Sequence, residues 1–178
     1  MISLIKKIIK KRQLVNLVNR GLKVGRKFQV MGNIRIDHSH CWHIEIGDSV
    51  TLAPNVHILA HDASTKMFLD YTKVKNVKIG NNVFIGANSV ILPGSIIGDN
   101  VIIGANSVVT GHLSKNHVYA GNIAKKIISI DEYLSKSSKC MSKNNCFDKS
   151  FRSSPSLSQD QKNILIKEAK ESHIIYIK

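Results

Sequence analysis

A six-residue repeat is the feature that most constrains how this 178-residue chain can fold. From Ile79 to Ser114 the sequence divides into consecutive hexads, which read IGNNVF, IGANSV, ILPGSI, IGDNVI, IGANSV and VTGHLS. An aliphatic residue opens each hexad, a small residue often follows, and a second aliphatic residue or Phe tends to sit in fifth place. Upstream, residues 46–57 keep the same frame and residues 24–41 keep a looser one. Such a sustained internal period is typical of a solenoid.

A period of six fits neither an amphipathic helix nor the alternation of a single strand. It predicts short strands joined by tight corners, with one aliphatic side chain per hexad pointing inward. Gly and Asn supply the corners, because both tolerate left-handed backbone conformations. Three hexads then make one triangular coil, and about four coils stack at roughly the 4.8 Å spacing of neighbouring strands. The predicted fold class is an all-β solenoid, a parallel β-helix. An antiparallel sandwich would give no reason for a strict period.

Composition agrees with a core of aliphatic residues. Hydrophobic residues make up 43% of the chain but aromatic residues only 6%, so Ile, Val and Leu must fill the interior. The three cysteines are odd in number and lack CxxC spacing, which indicates neither a disulfide framework nor a zinc site. The chain has no apolar run of transmembrane length, and its start lacks the cleavage site of a signal peptide. We therefore expect a cytoplasmic protein.

Positive charge is concentrated near the N-terminus. The net charge is +14, and residues 1–35 hold ten Lys or Arg residues and no acidic residue. Residues 2–20 are predicted to form an amphipathic helix with Gly21 as its C-cap. This helix either covers the open end of the solenoid, which we favour, or places residues 1–20 against the inner face of a membrane. The chain lacks the aromatic-basic interleaving of single-strand binders, so no specific nucleic-acid partner is expected.

The sequence suggests four segments. They are an N-terminal basic helix (1–22), a β-helix (23–114) with an excursion loop at 61–78, a loop and short helix (115–135), and a linker with a C-terminal tail (136–178). Residues 136–156 are rich in Ser and Lys, a composition typical of a linker. A final helix is predicted to begin near Ser158.

The run from IGNNVF to AGNIAKKI closely resembles the sugar O-acetyltransferases among the hexapeptide-repeat acyltransferases, and the resemblance covers roughly residues 24–134. It implies a left-handed β-helix, a homotrimer, and acetyl-CoA lying in a groove between adjacent subunits. It also implies that the pantetheine arm binds to backbone near Ala87 and Ala105, where small residues let an extended ligand reach the main chain. Lys125 and Lys126 would meet the CoA phosphates, and Thr110 is a lesser candidate for the same end of the cofactor.

The repeat stops at His61, within the sequence ILAHDAST, and residues 61–78 break the period. A histidine at the end of the coil before the long loop deprotonates the acceptor in the family that this chain resembles, so the resemblance makes His61 the predicted general base. A neutral imidazole near pH 7 suits proton abstraction from a hydroxyl. The excursion would supply the acceptor pocket that a regular wall lacks. The simpler alternative is a surface histidine in a loop.

Asp62 and Phe84 are predicted substrate contacts. Asp62 is a candidate for orienting the loop or the imidazole, although adjacent side chains often point apart. Phe84 stands where many relatives carry Trp, and it keeps an aromatic wall without the indole donor. Two further departures from the family pattern affect cofactor binding: Ile123 replaces the usual Pro, and Gly111 replaces a common Lys.

These residues predict an acetyl-CoA-dependent O-acetyltransferase that acts by direct transfer on a sugar or a surface polysaccharide of the capsule or O-antigen type. A backbone amide near Ala87 would stabilise the oxyanion. An O-acetyltransferase acting on an antibiotic and a non-catalytic β-helical scaffold remain alternatives. A zinc-binding anhydrase of the same fold is disfavoured, because residues 62–111 contain no histidine, and no metal is expected.

Overall fold

The computed structural model describes residues 13–152 and 157–178. Residues 1–12, which make up most of the predicted N-terminal helix and its proposed membrane contact, lie outside the described part, as do residues 153–156 of the predicted linker. The chain divides into two compact units, Met1–Ile130 and Asp131–Lys178. Each unit is described by itself.

Short strands dominate the first unit. Residues 13–19 are helical (α1), and the strands that follow are β1 Lys23–Val24, β2 Gln29–Val30, β3 Arg35–Ile36, β4 Ile44–Ile46, β5 Thr51–Leu52, β6 His57–Ile58, β7 His61–Asp62, β8 Lys73–Val74, β9 Val77–Ile79, β10 Phe84–Ile85, β11 Val90–Ile91, β12 Ile96–Ile97, β13 Ile102–Ile103, β14 Val108–Val109, β15 His112–Leu113, β16 His117–Ala120 and β17 Lys125–Ser129. A 3₁₀ turn spans Cys41–His43, and a one-turn helix, α2, spans Lys66–Leu69.

The strands form three parallel sheets. Each strand of the repeat pairs with the strand at the same position in the next coil, so each sheet contains one strand per coil. Face 1 contains β1, β4, β9, β12 and β15 in that order. Face 2 contains β2, β5, β10, β13 and β16, with β17 added antiparallel at its end. Face 3 contains β3, β6, β11 and β14. This arrangement is the parallel β-helix that the hexads predict.

The interior is a ladder of aliphatic side chains taken from the opening position of each hexad. The residues at these positions from 79 to 109 are all buried, with exposures of 1% or less: Ile79, Ile85, Ile91, Ile97, Ile103 and Val109. The fifth position is buried as well, but three of its six occupants are serines rather than aliphatic residues: Ser89, Ser95 and Ser107. Their hydroxyl groups donate to backbone carbonyls, for example Ser107 Oγ to Gly104 O at 2.7 Å. These hydrogen bonds offset the cost of burying a polar group.

Coil length is regular except at one corner of the triangle. Register partners in adjacent coils are 18 residues apart through most of the strict hexads, as between Val90 and Val108, and 16 apart between Ile96 and His112, where the corner at 110–111 is shorter. They are 22 apart between Arg35 and His57, and 33 apart between His57 and Val90. Both extra lengths fall where the chain passes from face 3 to face 1. We call this edge the histidine corner; it comprises residues 37–43, 59–76, 92–95 and 110–111.

Asparagines turn the other corners. The fourth residue of a hexad adopts a left-handed conformation, as at Asn82, Asn88, Asn100 and Asn106, with φ between 54° and 59°. Their amides also form ladders between coils: Asn82 Nδ2 donates to Asn100 Oδ1 at 3.1 Å, and Asn100 Nδ2 donates to Asn116 Oδ1 at 2.9 Å. Asparagine therefore satisfies both the backbone geometry and the coil stacking.

The described part of the N-terminal helix packs on the end of the solenoid. Leu17 is buried in the core cluster, Leu14 packs against it, and Gly21 follows the helix with φ +104°. This contact agrees with the capping role for residues 13–19. Within the two described ranges, no helix combines the length and apolarity needed to cross a bilayer.

The segment after the hexads differs from the predicted loop. β16 and β17 form an antiparallel pair, and α3 then spans Ile130–Lys139. The pairing satisfies backbone groups at the last coil, which would otherwise be an open sheet edge.

The second unit contains more structure than a linker composition predicts. It holds the remainder of α3, the parallel pair β18 Cys146–Phe147 and β19 Tyr176–Ile177, a 3₁₀ turn Lys149–Phe151, and α4 Gln159–Ser172. The buried Asn145 accounts for part of this order, because its amide donates to Cys140 O at 2.7 Å and its Oδ1 accepts from Ser142 N at 2.7 Å. Ser158 caps α4 in a capping box with Gln161.

The asparagine ladder makes a testable prediction about stability. Asn100→Ala places at φ 55° a residue that has a Cβ but cannot form the local hydrogen bonds of Asn. Asn100→Gly loses the same ladder bonds, but glycine adopts this conformation without steric cost. We expect Asn100→Ala to be less stable than Asn100→Gly by about 1 kcal/mol, measured by urea unfolding. Equal stabilities of the two variants would contradict a left-handed corner at this position.

Candidate active site

His61 lies at the start of the excursion, where the chain leaves the second coil. β7 and β8 form an antiparallel pair that closes the excursion, with His61 opposite Val74 and Asp62 opposite Lys73. This pairing fixes the backbone on which the imidazole is mounted. The His61 side chain is about 30% exposed, so it is anchored on one side and accessible on the other.

A buried carboxylate from the preceding coil holds the His61 ring. Asp37 Oδ2 lies 2.5 Å from His61 Nδ1, and the Asp37 side chain is only 1% exposed. Asp37 directly follows β3, which pairs with β6, so coil stacking brings Asp37 beneath the turn that carries His61. The bond therefore depends on the register between two coils rather than on nearness in sequence.

Backbone amides of both coils neutralise the buried charge of Asp37. Oδ1 accepts from the N–H groups of Ser39 and His40, both at 3.0 Å, and Oδ2 accepts from those of Ala60 and His61 at 2.9 and 3.1 Å. Burial by itself would raise the pKa of Asp37, but these bonds and the His61 ring outweigh it and lower the pKa below its usual value. The carboxyl group is thus ionised at neutral pH.

An ionised carboxylate determines the tautomer of its neighbour. A carboxylate can only accept hydrogen bonds, so a neutral His61 must carry its proton on Nδ1. Its Nε2 then has the free lone pair and is the nitrogen that can take a proton. The pair has the geometry of an oriented general base.

Asp62 does not take part in this pair. Its carboxylate forms an ion pair with Lys73 at 2.6 Å and accepts from Ser64 N at 2.8 Å, and these two groups lower the pKa of Asp62. Asp62 on β7 lies opposite Lys73 on β8, so this ion pair links the two strands of the excursion.

An open pocket of about 640 Å³ lies in front of His61. Besides His61 and Asp62 it is lined by the excursion and by the next two coils of the histidine corner: Leu59, Ala63, Ser64, Lys73, Lys75, Leu92, Pro93 and Thr110. Two lysines and an imidazole beside apolar walls suit a polar ligand with hydroxyl groups. A larger groove of about 880 Å³ follows face 1 past Lys23, Glu45 and Lys78. We place the chemistry in the smaller pocket because it contains the oriented imidazole.

The predicted donor-binding residues are distributed over other edges of the same solenoid. Ala87 and Ala105 are stacked at the corner between faces 2 and 3, which we call the alanine corner, and Ala105 is exposed. Phe84 lies on face 2 and is 43% exposed. Lys125 and Lys126 are exposed on β17, at the end of face 2. Among the predicted donor contacts, the His61 pocket of one protomer contains Thr110 alone.

Asp37, His40 and His61 also deserve consideration as metal ligands, since their donor atoms lie within 4.8 Å of one another. However, the two carboxylate oxygens of Asp37 already accept four backbone N–H groups and the His61 ring. A metal would have to displace these bonds, so the group is better suited to orient an imidazole than to hold an ion. In the described ranges, this cluster includes two histidines, whereas the zinc site of a carbonic anhydrase uses three.

Sequence reasoning did not identify Asp37 or His40 as site residues. The His40 ring lies against His61, with ring centroids 4.7 Å apart. The sequence signal was the length of the first coil. The hexads at 24–41 are followed by a hexad that begins at 46, so four residues that include His43 are inserted between them. That insertion is in the coil next to the excursion, but only the pairing of β3 with β6 places the two together.

Comparison with known proteins agrees with this architecture. The family described as bacterial transferase hexapeptide (six repeats) matches residues 76–111. A maltose O-acetyltransferase from Clostridium difficile 630 is 34% identical, with a TM-score of 0.52, over 67% of this chain and 75% of that one. A hexapeptide-repeat acetyltransferase from Vibrio cholerae, 23% identical with a TM-score of 0.50 over 68% of this chain and 80% of that one, shares the fold.

Protein CapG of Staphylococcus aureus is 50% identical over 97 residues, which are 52% of this chain. The match spans 56% of the length of that relative. Its identity is the highest of the three relatives described here, although it covers less of either chain than the two structures do.

Asp37 makes a pH-dependent contribution that can be measured. Because its folded pKa is lowered, the stabilisation is fully present above the ordinary Asp pKa of about 3.9 and is lost as pH falls through the folded value. Asp37→Asn should reduce the free energy of unfolding by about 2 kcal/mol or more at pH 7. The side-chain NH₂ group of Asn is a donor, so it would face buried backbone N–H donors that need an acceptor. The difference from wild type should shrink as pH falls below about 4.

Urea unfolding over a pH series measures this difference. Asp70→Asn is the matched control, since Asp70 is exposed and Asn tolerates its left-handed conformation. A stability difference for Asp37→Asn that stays constant from pH 7 to acid would contradict an ionised, buried Asp37.

Proposed function

The chain belongs to the hexapeptide-repeat acyltransferase family, and we propose that it transfers an acetyl group from acetyl-CoA to a hydroxyl group of a carbohydrate. The observation that carries this proposal is the Asp37–His61 pair at an open pocket. Membership of the family implies left-handed winding of the coils. The 34% identical maltose O-acetyltransferase supports a sugar as acceptor. A surface polysaccharide of the capsule or O-antigen type is the narrower part of the proposal.

The proposed step is a direct transfer. His61 Nε2 removes the proton of the acceptor hydroxyl as its oxygen attacks the carbonyl carbon of the thioester. The C–O bond of the new ester forms, the C–S bond breaks, and the leaving CoA thiolate takes the proton back from the His61 imidazolium. General base catalysis of this kind contributes roughly 10²–10⁴-fold to a rate.

Asp37 prepares His61 for this role in two ways. Its bond to Nδ1 leaves the lone pair of the neutral ring on Nε2, and its negative charge stabilises the imidazolium that forms when the proton is taken. Because Asp37 is held by amides of two coils, the ring has little freedom to rotate. Lys75 in the pocket lining supplies positive charge for the acceptor, and Lys73, which is paired with Asp62, adds a hydrogen-bond donor.

Donor binding is the part of the proposal that calls for more than one copy of the chain. Ala87 is partly exposed and Ala105 is exposed at the alanine corner, where their small side chains would let a ligand approach, and Lys125 and Lys126 add two exposed cations suited to phosphate. His61 lies at a different corner of the same prism, on the far side of face 3. A donor that contacts both regions is best accommodated between the alanine corner of one protomer and the histidine corner of its partner, as in the proposed homotrimer.

The excursion supports such an assembly. Four apolar side chains in α2 or just after it are 63–83% exposed in the single chain: Met67, Phe68, Leu69 and Tyr71. An apolar cluster of this kind on an ordered hairpin is typical of an interface. The same hairpin carries His61, so burying it against a partner would also fix the catalytic corner.

Thiol release from acetyl-CoA tests the proposed activity. We expect release that depends on maltose or another glycoside, and a loss of about 10²–10⁴-fold in kcat/KM for His61→Ala. His112→Ala is the matched control, because His112 is an exposed histidine on face 1. Circular dichroism establishes that both variants are folded. Equal activity of His61→Ala and wild type would overturn the assignment of the base.

Sedimentation velocity tests the proposed trimer. Wild type should sediment as a trimer at micromolar concentration, and Phe68→Asp should shift the population towards monomer, because a charge is costly in an apolar interface. Ile166→Asp changes an exposed apolar residue of α4 and serves as the control. A wild-type monomer that is fully active would contradict the shared site.

A further inference from the structure

The histidine corner contains a second interruption of the repeat, and it lies beside the first. Residues 37–43, with the sequence DHSHCWH, add four residues to the first coil, and the excursion adds fifteen to the next coil. Asp37 at the start of this insertion binds His61. The rest of the insertion, which carries Trp42, has no role in the mechanism described above.

Trp42 is held firmly at its backbone but open at its side chain. Cys41 is fully buried, and its Sγ donates to Leu17 O and Arg20 O at 3.6 and 3.8 Å. Gly21 packs so closely that an added Cβ would lie 2.8 Å from Trp42 Cβ. The end of α1 therefore fixes the position of Trp42, while 48% of the residue remains exposed.

Aromatic rings connect Trp42 to the proposed base. The His40 ring lies 4.7 Å from the His61 ring and 5.6 Å from the Trp42 ring, measured between centroids. The His43 ring lies 6.0 Å from the indole and 6.4 Å from the His40 ring. A single exposed aromatic residue is common on protein surfaces and would carry no argument. Here the indole is fixed and half exposed, and the His40 ring lies between it and the His61 ring.

The His40 ring has unused hydrogen-bonding capacity at this position. Its Nδ1 is buried and has no hydrogen-bond partner, and it lies 4.0 Å from Asp37 Oδ1, beyond bonding distance. The ring would have to turn to bring this nitrogen to a ligand or water. The part-exposed rings of His40 and Trp42 next to one another offer aromatic faces with polar edges, which suits a hydroxyl-rich ring.

We propose that Trp42 and His40 form an acceptor subsite, in which a pyranose ring stacks its C–H face on the indole while one hydroxyl reaches His61. The hydrogens of the C–H face carry partial positive charge and are attracted to the negative face of the indole. The separation of two ring contacts between Trp42 and His61 suits a mono- or disaccharide. This proposal rests on the proposed function, since it identifies the acceptor class of the same site.

Intrinsic fluorescence tests the subsite directly, because Trp42 is the only tryptophan in the chain. The full-length protein is titrated with maltose, methyl glucoside and methyl galactoside, in the absence of acetyl-CoA. We expect a saturable change in emission and protection of the indole from acrylamide quenching. Sorbitol has the hydroxyl groups without the ring, and it should give neither effect.

Variants extend the test to turnover. Trp42→Ala should raise the KM for the sugar acceptor by about tenfold, the effect of losing about 1.4 kcal/mol of stacking, and leave the KM for acetyl-CoA unchanged. Trp42→Phe should recover part of the loss, because a smaller aromatic face remains. Tyr133→Ala removes a comparably exposed aromatic residue in the second unit and should change neither constant.

The outcomes separate the subsite from the transferase activity. An emission that responds to none of the sugars overturns the subsite, whether or not thiol release is observed. An unchanged acceptor KM in folded Trp42→Ala overturns it as well. A saturable response to sugar without thiol release on adding acetyl-CoA would support the subsite and overturn the proposed transfer.

Discussion

The register between stacked coils is the constraint on which the rest of this structure depends. Each hexad contributes one inward aliphatic residue, and the parallel hydrogen bonds of three faces align it above its counterpart in the neighbouring coil. A ladder of isoleucines cannot slip by one residue without turning polar side chains into the core. The coils can therefore grow only where a corner absorbs the extra residues. Both insertions are absorbed at the histidine corner, and the proposed chemistry lies there.

A buried carboxylate shows how this rigid frame stabilises a charged group. Asp37 occupies a position where amides of two adjacent coils converge, so its charge is compensated by hydrogen bonds rather than by a cation. Removing a charge-bearing partner from such a site is costly, because the donors would be left unsatisfied. The same bonds that stabilise the corner hold the imidazole of His61 in one orientation. In this corner, folding stability and the proposed catalytic geometry rest on one side chain.

The triangular cross-section separates the parts of the proposed reaction. The proposed base and the proposed acceptor pocket lie at the histidine corner, and the small residues proposed for the donor lie at the alanine corner of the same chain. A prism cannot fold back to bring two of its edges together, because the packed core lies between them. The proposed association of copies would solve this problem, and the exposed apolar side chains of the excursion are a surface suited to it.

The sequence by itself determined the parts of this protein that depend on local spacing. The hexads predicted the parallel strands, the inward Ile ladder and the Asn corners, and the break in the period located the excursion and His61. It could not find Asp37 as the partner of His61, because they are 24 residues apart and the separation per coil varies from 16 to 33.

Tertiary structure alone brought the two insertions to one corner and placed Asp37 and His40 against His61, with Trp42 beside His40. It also paired β16 with β17 where a loop was expected, since an open sheet edge there has unsatisfied backbone groups. The physical reason is the same in each case. A repeat can be recognised from residues that are neighbours in the sequence. Contacts between coils depend on how many residues each corner contains, and only the folded stack determines that number.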